Sequence, residues 1–236
     1  MSHNPPIVFE SIEAASEWIA GRPVALTVGT FDGVHRAHRE LFATAIERAK
    51  TFHGLAGALT FQNHPRSVVG PEHCPPLLTP WPRKAVLMQN SHLHFVVGVQ
   101  FTPEFSQTEA EDFIARVLVG SLNAKAVICG PDFRFGRNGA GGPEMLARMG
   151  ADLGFVFEKR QPILWHGEKI ASTRVRAALE VGAVAIAAKL LGRPHVNDGP
   201  VVSGDRLGRT IGFPTANLDG IDTLLPVSYT HLRAHE

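Results

Sequence analysis

An α/β fold organised around a parallel sheet is the architecture this sequence predicts, on three observations. Short apolar runs alternate along the chain with helical patterns, the runs are bounded by Gly or Pro, and they are too uniformly apolar to be half-solvated strands. Residues 24–29 (VALTVG), 55–61 (LAGALTF), 94–101 (HFVVGVQF), 125–130 (KAVICG) and 155–157 read as buried strands. Strand–helix alternation of this kind implies βαβ crossovers, with helices covering both faces of the sheet.

The helical stretches follow from spacing and end signals. Leu41, Ala45, Ala49 and Phe52 fall on one face of a helix expected to begin near Ala37. Thr108 followed by Glu111 has the form of a capping box, opening a helix that carries Phe113, Ile114, Val117 and Leu118. Pro143 stands at an expected first helical position, ahead of Met145, Leu146 and Met149. In open parallel sheets ligands bind beyond the carboxyl ends of the strands. That rule singles out three loops, 30–36, 62–70 and 131–142.

Composition narrows the function classes. With 23 basic against 22 acidic side chains, a formal charge of +1 and 44% hydrophobic residues over 236 positions, the chain reads as globular. That balance argues against duplex nucleic acid or an anionic membrane as partner, and leaves room for a local site for a phosphorylated small molecule. The two cysteines, Cys74 and Cys129, form no CxxC pattern. The first residues show no secretory pattern and no apolar stretch approaches a membrane span, so a cytoplasmic location is expected. The oligomeric state is left open. After Leu191 the Ala-rich helical pattern yields to a segment spaced by Gly, Pro and Asp, which places a boundary near residues 183–195.

The residues able to do chemistry cluster in the selected loops. In GTFDGVHRAHREL, Gly29 and Gly33 allow a tight turn and close approach of a ligand, with Thr30 and Phe31 between them. The following helix turns its free N–H groups and positive dipole end toward that loop. His35 and His38 lie three apart on the same side of its first turn, suited to donating hydrogen bonds to phosphate oxygens. With twelve histidines in the chain, one such pair taken alone is as easily coincidence. TFQNHPRSVV follows the second run. GPDFRFGRNGAGG follows the fourth, combining Phe133 and Phe135, able to stack on a flat ring, with Asp132, Arg134 and Arg137. KIASTRVRAAL puts Ser172 and Thr173 at a helix start, reading either as a structural N-cap or, with Arg174 and Arg176, as a second anion site.

GTFDGVHRAH, TFQNHP, GPDFRFGR and IASTRVR, in that order, resemble the bacterial bifunctional riboflavin kinase/FMN adenylyltransferase (FAD synthetase) family. The resemblance implies a Rossmann-like nucleotidyltransferase domain over 1–185, transferring AMP from ATP to FMN to give FAD and pyrophosphate. It implies that His35, His38 and Arg176 are catalytic, and that Gly29, Thr30, Phe31, Gly33, Ser172 and Thr173 bind ATP. Asn63, His64, Asp132, Phe133, Arg134 and Phe135 would line the flavin side. Mg²⁺ would arrive with ATP, and no protein ligand for it is evident. The chain departs from the family pattern at Ala37, Gln62-Asn63, Ala171 and Gly142. Two alternatives therefore stand beside the enzyme: a flavin-nucleotide binding module with weakened catalysis, and transfer to another phosphorylated acceptor.

GPVVSGDRLGRTIGFPTANL resembles the opening of the family's riboflavin kinase domain, a small β-barrel in which Thr215 and Asn217 would hold Mg²⁺ and ATP phosphates. Residues 186–226 are thus expected to form an incomplete β-barrel fragment without riboflavin phosphorylation. Residues 227–236 (VSYTHLRAHE), which carry the single Tyr, are expected to be a non-native tail.

Overall fold

Residues 24–28 and 55–61 are buried at every position, which is why neither run alternates polar with apolar. The computed structural model describes residues 5–204, 212 and 216–226. Six strands, β1 (Ile7–Phe9), β2 (Val24–Val28), β3 (Leu55–Phe61), β4 (Phe95–Val99), β5 (Ala124–Cys129) and β6 (Val156–Lys159), form one sheet in the order β1-β4-β3-β2-β5-β6. Every neighbouring pair is parallel. The helices are α1 (Ile12–Ile19), α2 (Arg36–Thr51), α3 (Arg66–Val69), α4 (Trp81–Gln89), α5 (Pro103–Ser106), α6 (Ala110–Asp112, continuing as a π-helix over Phe113–Ser121), α7 (Pro143–Leu153), α8 (Ser172–Glu180) and α9 (Val184–Leu191). Two short antiparallel pairs lie outside this sheet: β7 (Leu164–Trp165) with β8 (Glu168–Lys169), and β9 (Val201–Val202) with β10 (Asn217–Leu218).

Alternation along the strands divides the core between the two faces. Val24, Leu26 and Val28 of β2 join Leu59, Phe95, Val97, Ile114 and Leu118 in one cluster. Ala25, Ala56, Ala58 and Ala126 face the other way, against Phe42, Ala45 and Ala49 of α2 and Met88 of α4. Small residues on that face let α2 lie close to the sheet. A third cluster joins Val175 and Leu179 of α8 to Ala187, Leu190 and Leu191 of α9, with Leu78 between them. Helix α9 therefore spans the expected division after residue 185 while packing on α8.

The parallel α/β reading is what the chain adopts, with local corrections. Strand β1 goes unpredicted, because three residues at an edge give no periodic signal. Strand β6 is also an edge, and Val156 is 60% exposed, so that run is not buried as expected. On α2 Phe42 is buried beside Ala45 and Ala49, and Leu41 sits at the rim. The capping box at Thr108 does not form. Glu109 takes the cap position of α6 without a side-chain bond, and the Thr108 carbonyl instead accepts from Arg137 N–H at 2.7 Å. Among the described residues the expected barrel segment shows the β9/β10 pair. Thr215 and residues 227–236 lie outside the described residues, and Asn217 opens β10.

Gly57, central in β3, packs beneath Phe95: a Cβ there would lie 2.2 Å from that ring. Gly57→Ala is expected to cost about 1–3 kcal/mol through overpacking. Urea titration should show a lower midpoint at unchanged slope.

Candidate functional site

The chain runs β2, β3, β4 toward one side of the sheet and then returns to place β5 and β6 on the other side of β2. This reversal between β2 and β5 opens a crevice at their carboxyl ends, the place where α/β sheets bind ligands. A cavity of about 640 Å³ lies there, lined by residues of the loop after β2, the first turn of α2, the segment after β5, residues 160–163 after β6, and the start of α8. That volume is in the range of small-molecule sites.

The loop after β2 is unusual in its backbone. Phe31 has φ +50° and Val34 φ +41°, and left-handed conformations at an aromatic and a β-branched residue cost about 1–3 kcal/mol each. The surrounding structure over-determines them. The Thr30 carbonyl accepts from Lys84 Nζ and Thr60 Oγ1, both at 3.0 Å, and the Phe31 carbonyl from Val34 N–H at 3.0 Å. The Asp32 carbonyl accepts from Ser172 Oγ at 2.8 Å, and the Gly33 and Val34 carbonyls from Arg193 at 2.7 and 3.3 Å. Among the described residues nothing accepts from the N–H groups of Thr30, Phe31, Asp32 or Gly33. With the carbonyls tied down, the loop has the donor surplus of an anion-binding nest.

Beneath the loop Asp32 and Arg176 form an ion pair, 3% and 7% exposed. Asp32 also accepts from the N–H groups of Leu78 at 3.1 Å and Thr79 at 3.0 Å, and Arg176 Nε donates to the Pro76 carbonyl at 2.8 Å. Arg176 lines the cavity, yet it is not the open anion fork expected: its guanidinium is held by a carboxylate and a carbonyl. Arg174 is likewise engaged, donating to the carbonyls of Trp165 and Glu168 and lying over the Trp165 ring.

His35 is the N-cap of α2, its Nδ1 accepting from His38 N–H at 3.3 Å. The two rings stack with centroids 3.5 Å apart, and Phe31 meets His38 edge-on at 5.2 Å. Burial pushes the His35 imidazole down to about 3, with Arg193, Arg39 and Arg176 adding to the effect against a backbone hydrogen bond that raises it. His38 is held well below the usual histidine value, first by burial, then by His35 and Lys84. Both rings are therefore neutral near pH 7. With Nδ1 accepting, His35 carries its proton on Nε2 and remains a donor there.

Ser172 and Thr173 both line the cavity, but neither caps α8. The cap position belongs to Ala171, which makes no side-chain bond, while the Ser172 hydroxyl goes to the Asp32 carbonyl. The first turn of α8 thus keeps its N–H groups facing the cavity without a side-chain cap.

The expected flavin side divides. His64, Asp132 and Phe133 line the cavity, and Asp132 pairs with Lys169 at 2.7 Å across its mouth. Phe135 does not line it: this ring is 8% exposed in the core, 5.4 Å from Phe133 and from Phe113. Arg134 is also outside the lining, packed where a side chain at Gly142 would meet its Nη1. Asn63 is turned away, exchanging hydrogen bonds with the Phe101 backbone at 2.8 and 3.0 Å and so fixing the loop after β3 to that after β4. Gly29, Thr30 and Phe31 line the cavity. Gly33 does not, because at φ +84° it packs between Leu78 and Leu191. Asn217 lies elsewhere, in β10.

The sequence profile of FAD synthetase matches residues 19–174. The chain belongs to the FAD synthetase family. A riboflavin kinase profile matches residues 191–231, reaching into the segment expected to be foreign. The bifunctional riboflavin kinase/FMN adenylyltransferase of Escherichia coli K12 is 37% identical over 193 residues, covering 82% of this chain and 62% of the relative. The protein of the same description from Pseudomonas fluorescens is 32% identical over 211 residues, covering 89% and 68%. The chain thus spans about three-fifths of the length of the Escherichia coli relative. A solved structure described as a macrolide-efflux protein from Streptococcus pneumoniae superposes with a TM-score of 0.80 at 29% identity, over 93% of this chain and 71% of that one. A pantoate–β-alanine ligase from Francisella tularensis matches at 0.51 and 11% identity, over 79% and 78%, and shares the fold.

Within this family member, sequence reasoning passed over Asp32, Lys84, Arg193 and residues 160–163. Asp32 sits inside the GTFDG motif, and a carboxylate in a loop meant for anions signals a buried cation partner. Residues 160–163 follow β6, where the strand-end rule already pointed.

Two outcomes test this geometry. Unfolded histidine binds a proton below about pH 6.5 while folded His35 does not until about pH 3, so stability is full above 6.5 and lost as pH falls through that window. His35→Asn, which keeps a capping side chain, should remove a slope of about 1.4 kcal/mol per pH unit between pH 6 and 4 in urea titrations. Asp32→Ala, which strands the Arg176 charge in the interior, is expected to cost about 3–5 kcal/mol by the same measurement.

Proposed function

We propose that this chain transfers AMP from MgATP to FMN, releasing pyrophosphate and forming FAD. The observation that carries the reading is the convergence, on one cavity, of three anion-seeking elements, two from the stretch 29–38 and one from residues 171–173. These are the unpaired N–H groups of the loop after β2, the stacked neutral pair His35 and His38, and the uncapped start of α8. The family, and relatives whose names include FMN adenylyltransferase, support FMN as acceptor.

A phosphate oxygen of FMN attacks the α-phosphorus of ATP. The new P–O bond joins the two nucleotides as the bond to the β-phosphate breaks, and pyrophosphate leaves with its electron pair. The nucleophile is already anionic, so no protein base is required. Catalysis lies in positioning and in donors aimed at developing charge. His35, His38 and the first turn of α8, with Ser172 and Thr173, are the proposed donors to the triphosphate, and Gly29, Thr30 and Phe31 form its bed. His64, Asp132 and Phe133 are proposed to meet the acceptor. Asn63, Arg134 and Phe135 support that side through packing instead.

Mg²⁺ is proposed to enter as part of the nucleotide. Among the described residues no group of three or more His, Cys, Asp or Glu could hold a metal, and Asp32 is committed to Arg176. No helix of the described residues is long and apolar enough to cross a membrane. A cytoplasmic setting is proposed from this together with the two free cysteines.

Incubation with FMN and MgATP should yield FAD and pyrophosphate in equal amounts, followed by chromatography. His38→Ala should lower kcat by about 10²–10³-fold with the fold retained. A wild-type chain that binds MgATP yet forms no FAD would instead place it as a nucleotide-binding module.

A further inference from the structure

The FAD synthetase profile ends at residue 174, but the loop it contributes is not held by that region alone. Arg193, nineteen positions further on and inside the riboflavin kinase match, sends its Nη2 to the Gly33 carbonyl at 2.7 Å and its Nη1 to the Val34 carbonyl at 3.3 Å. One of those carbonyls belongs to the β-branched residue at φ +41°, immediately before the cap histidine of α2. The same segment makes a second attachment. Leu224 N–H donates to the Leu77 carbonyl at 2.8 Å, Thr223 pairs with Leu77 as an isolated bridge, and the next N–H, that of Leu78, is the one Asp32 accepts. His195 Nε2, 2.9 Å from the Leu224 carbonyl, and Thr223 Oγ1, donating to Asn197 at 2.5 Å, tie the two attachments together. The Arg39 guanidinium, on α2, reaches back to the Leu191 carbonyl.

We propose that Arg193 is a positioning residue for adenylyl transfer: it reaches from the kinase-matched segment to lock the strained end of the loop after β2, and so sets where His35 and the loop N–H groups stand. A guanidinium is suited to this, because its fork places two donors on two successive carbonyls where an ammonium offers a single point. Released from it, Val34 is free to leave the left-handed region, and the first turn of α2 shifts with it. Arg193 does not line the cavity, so it acts through the loop and not on substrate. The proposal rests on the adenylyl-transfer reading for its kinetic arm alone.

The test uses the full chain as wild type, Arg193→Ala and Arg193→Lys, with two readouts. Hydrogen exchange at the bonded amides of Val34, His38 and Arg39 should quicken at least about tenfold in Arg193→Ala while strands β2 and β3 keep their protection. FAD formation should lose roughly 10²-fold in kcat, the scale of a small misplacement of reacting groups. Arg193→Lys should fall between the two, and free guanidinium at millimolar concentration should restore part of the Arg193→Ala rate. Unchanged exchange at those three amides with near-normal kcat overturns the proposal. So does a rate loss accompanied by general loss of protection, which marks a merely structural residue. Should Arg193→Ala fail to fold, the Lys variant decides by the same two readouts. If wild-type protein forms no FAD, the substrate reading falls, and the exchange contrast still decides whether Arg193 braces the loop.

Discussion

The buried pair of Asp32 and Arg176 is the constraint on which the site depends. Removing two charges from water costs several kcal/mol per ion, and attraction between them repays this only when the remaining donors and acceptors are also satisfied. Here they are engaged widely: Asp32 collects the N–H groups of Leu78 and Thr79, and Arg176 a carbonyl of Pro76. The energetic return on such a pair is small. Its geometric effect is large, because one carboxylate joins the loop after β2 to the segment 76–79 and, 144 positions away, to Arg176 of helix α8. With Ser172 bonded to the Asp32 carbonyl, the same residue is gripped by main chain and side chain together.

That grip explains how a carboxylate can occupy a loop built to receive anions. The Asp32 charge is turned inward and cancelled, so it does not oppose an incoming phosphate. The loop's carbonyls are also drawn away, to Lys84, Ser172 and Arg193, leaving N–H groups for the cavity. Two residues in the left-handed region are the cost of this arrangement. The strain is tolerable because cations from α4 and from the segment after α9 hold the loop from opposite ends. Lys84 illustrates the burden. Burial pushes its ammonium down to about 8, against the raising effect of Asp32, yet two carbonyls keep it in place.

Much of this was legible in the sequence, and the remainder was hidden for physical reasons. Uniformly apolar runs revealed β2 to β5, because strands buried on both faces have no other way to read. The three-residue β1 carries too few positions to show a period. The strand-end rule located the loops after β2, β3 and β5, and the cavity lies there. Roles within the loops were less legible. Phe133 and Phe135 are two apart in a Gly- and Arg-rich stretch and look equivalent, yet the fold sends one ring to the cavity and the other to the core. Asn63 sits in a motif and spends its amide on the Phe101 backbone. Arg176 is legible as a cation of the site, but its carboxylate partner is not. Pairing across 144 positions is a tertiary fact, and nothing in local spacing displays it.

The two histidines show how the same cations shape both structure and chemistry. At 3.5 Å, two charged imidazoles would repel by about 5 kcal/mol even at an effective dielectric of 20, so at most one ring can hold a proton. Burial and the nearby guanidinium groups then remove the other. Positive potential at the site therefore comes from Arg193 and Arg39, which are fixed by main-chain carbonyls, and not from the rings closest to the cavity. The imidazoles are left as neutral, oriented donors. His35 has surrendered Nδ1 to cap α2, and this fixes its remaining proton on the nitrogen that does not serve the helix. An Asp cap would satisfy α2 equally well, but a carboxylate is acceptor-only and would offer the cavity no donor. The unusual choice of cap is thus where helix formation and ligand recognition become a single requirement.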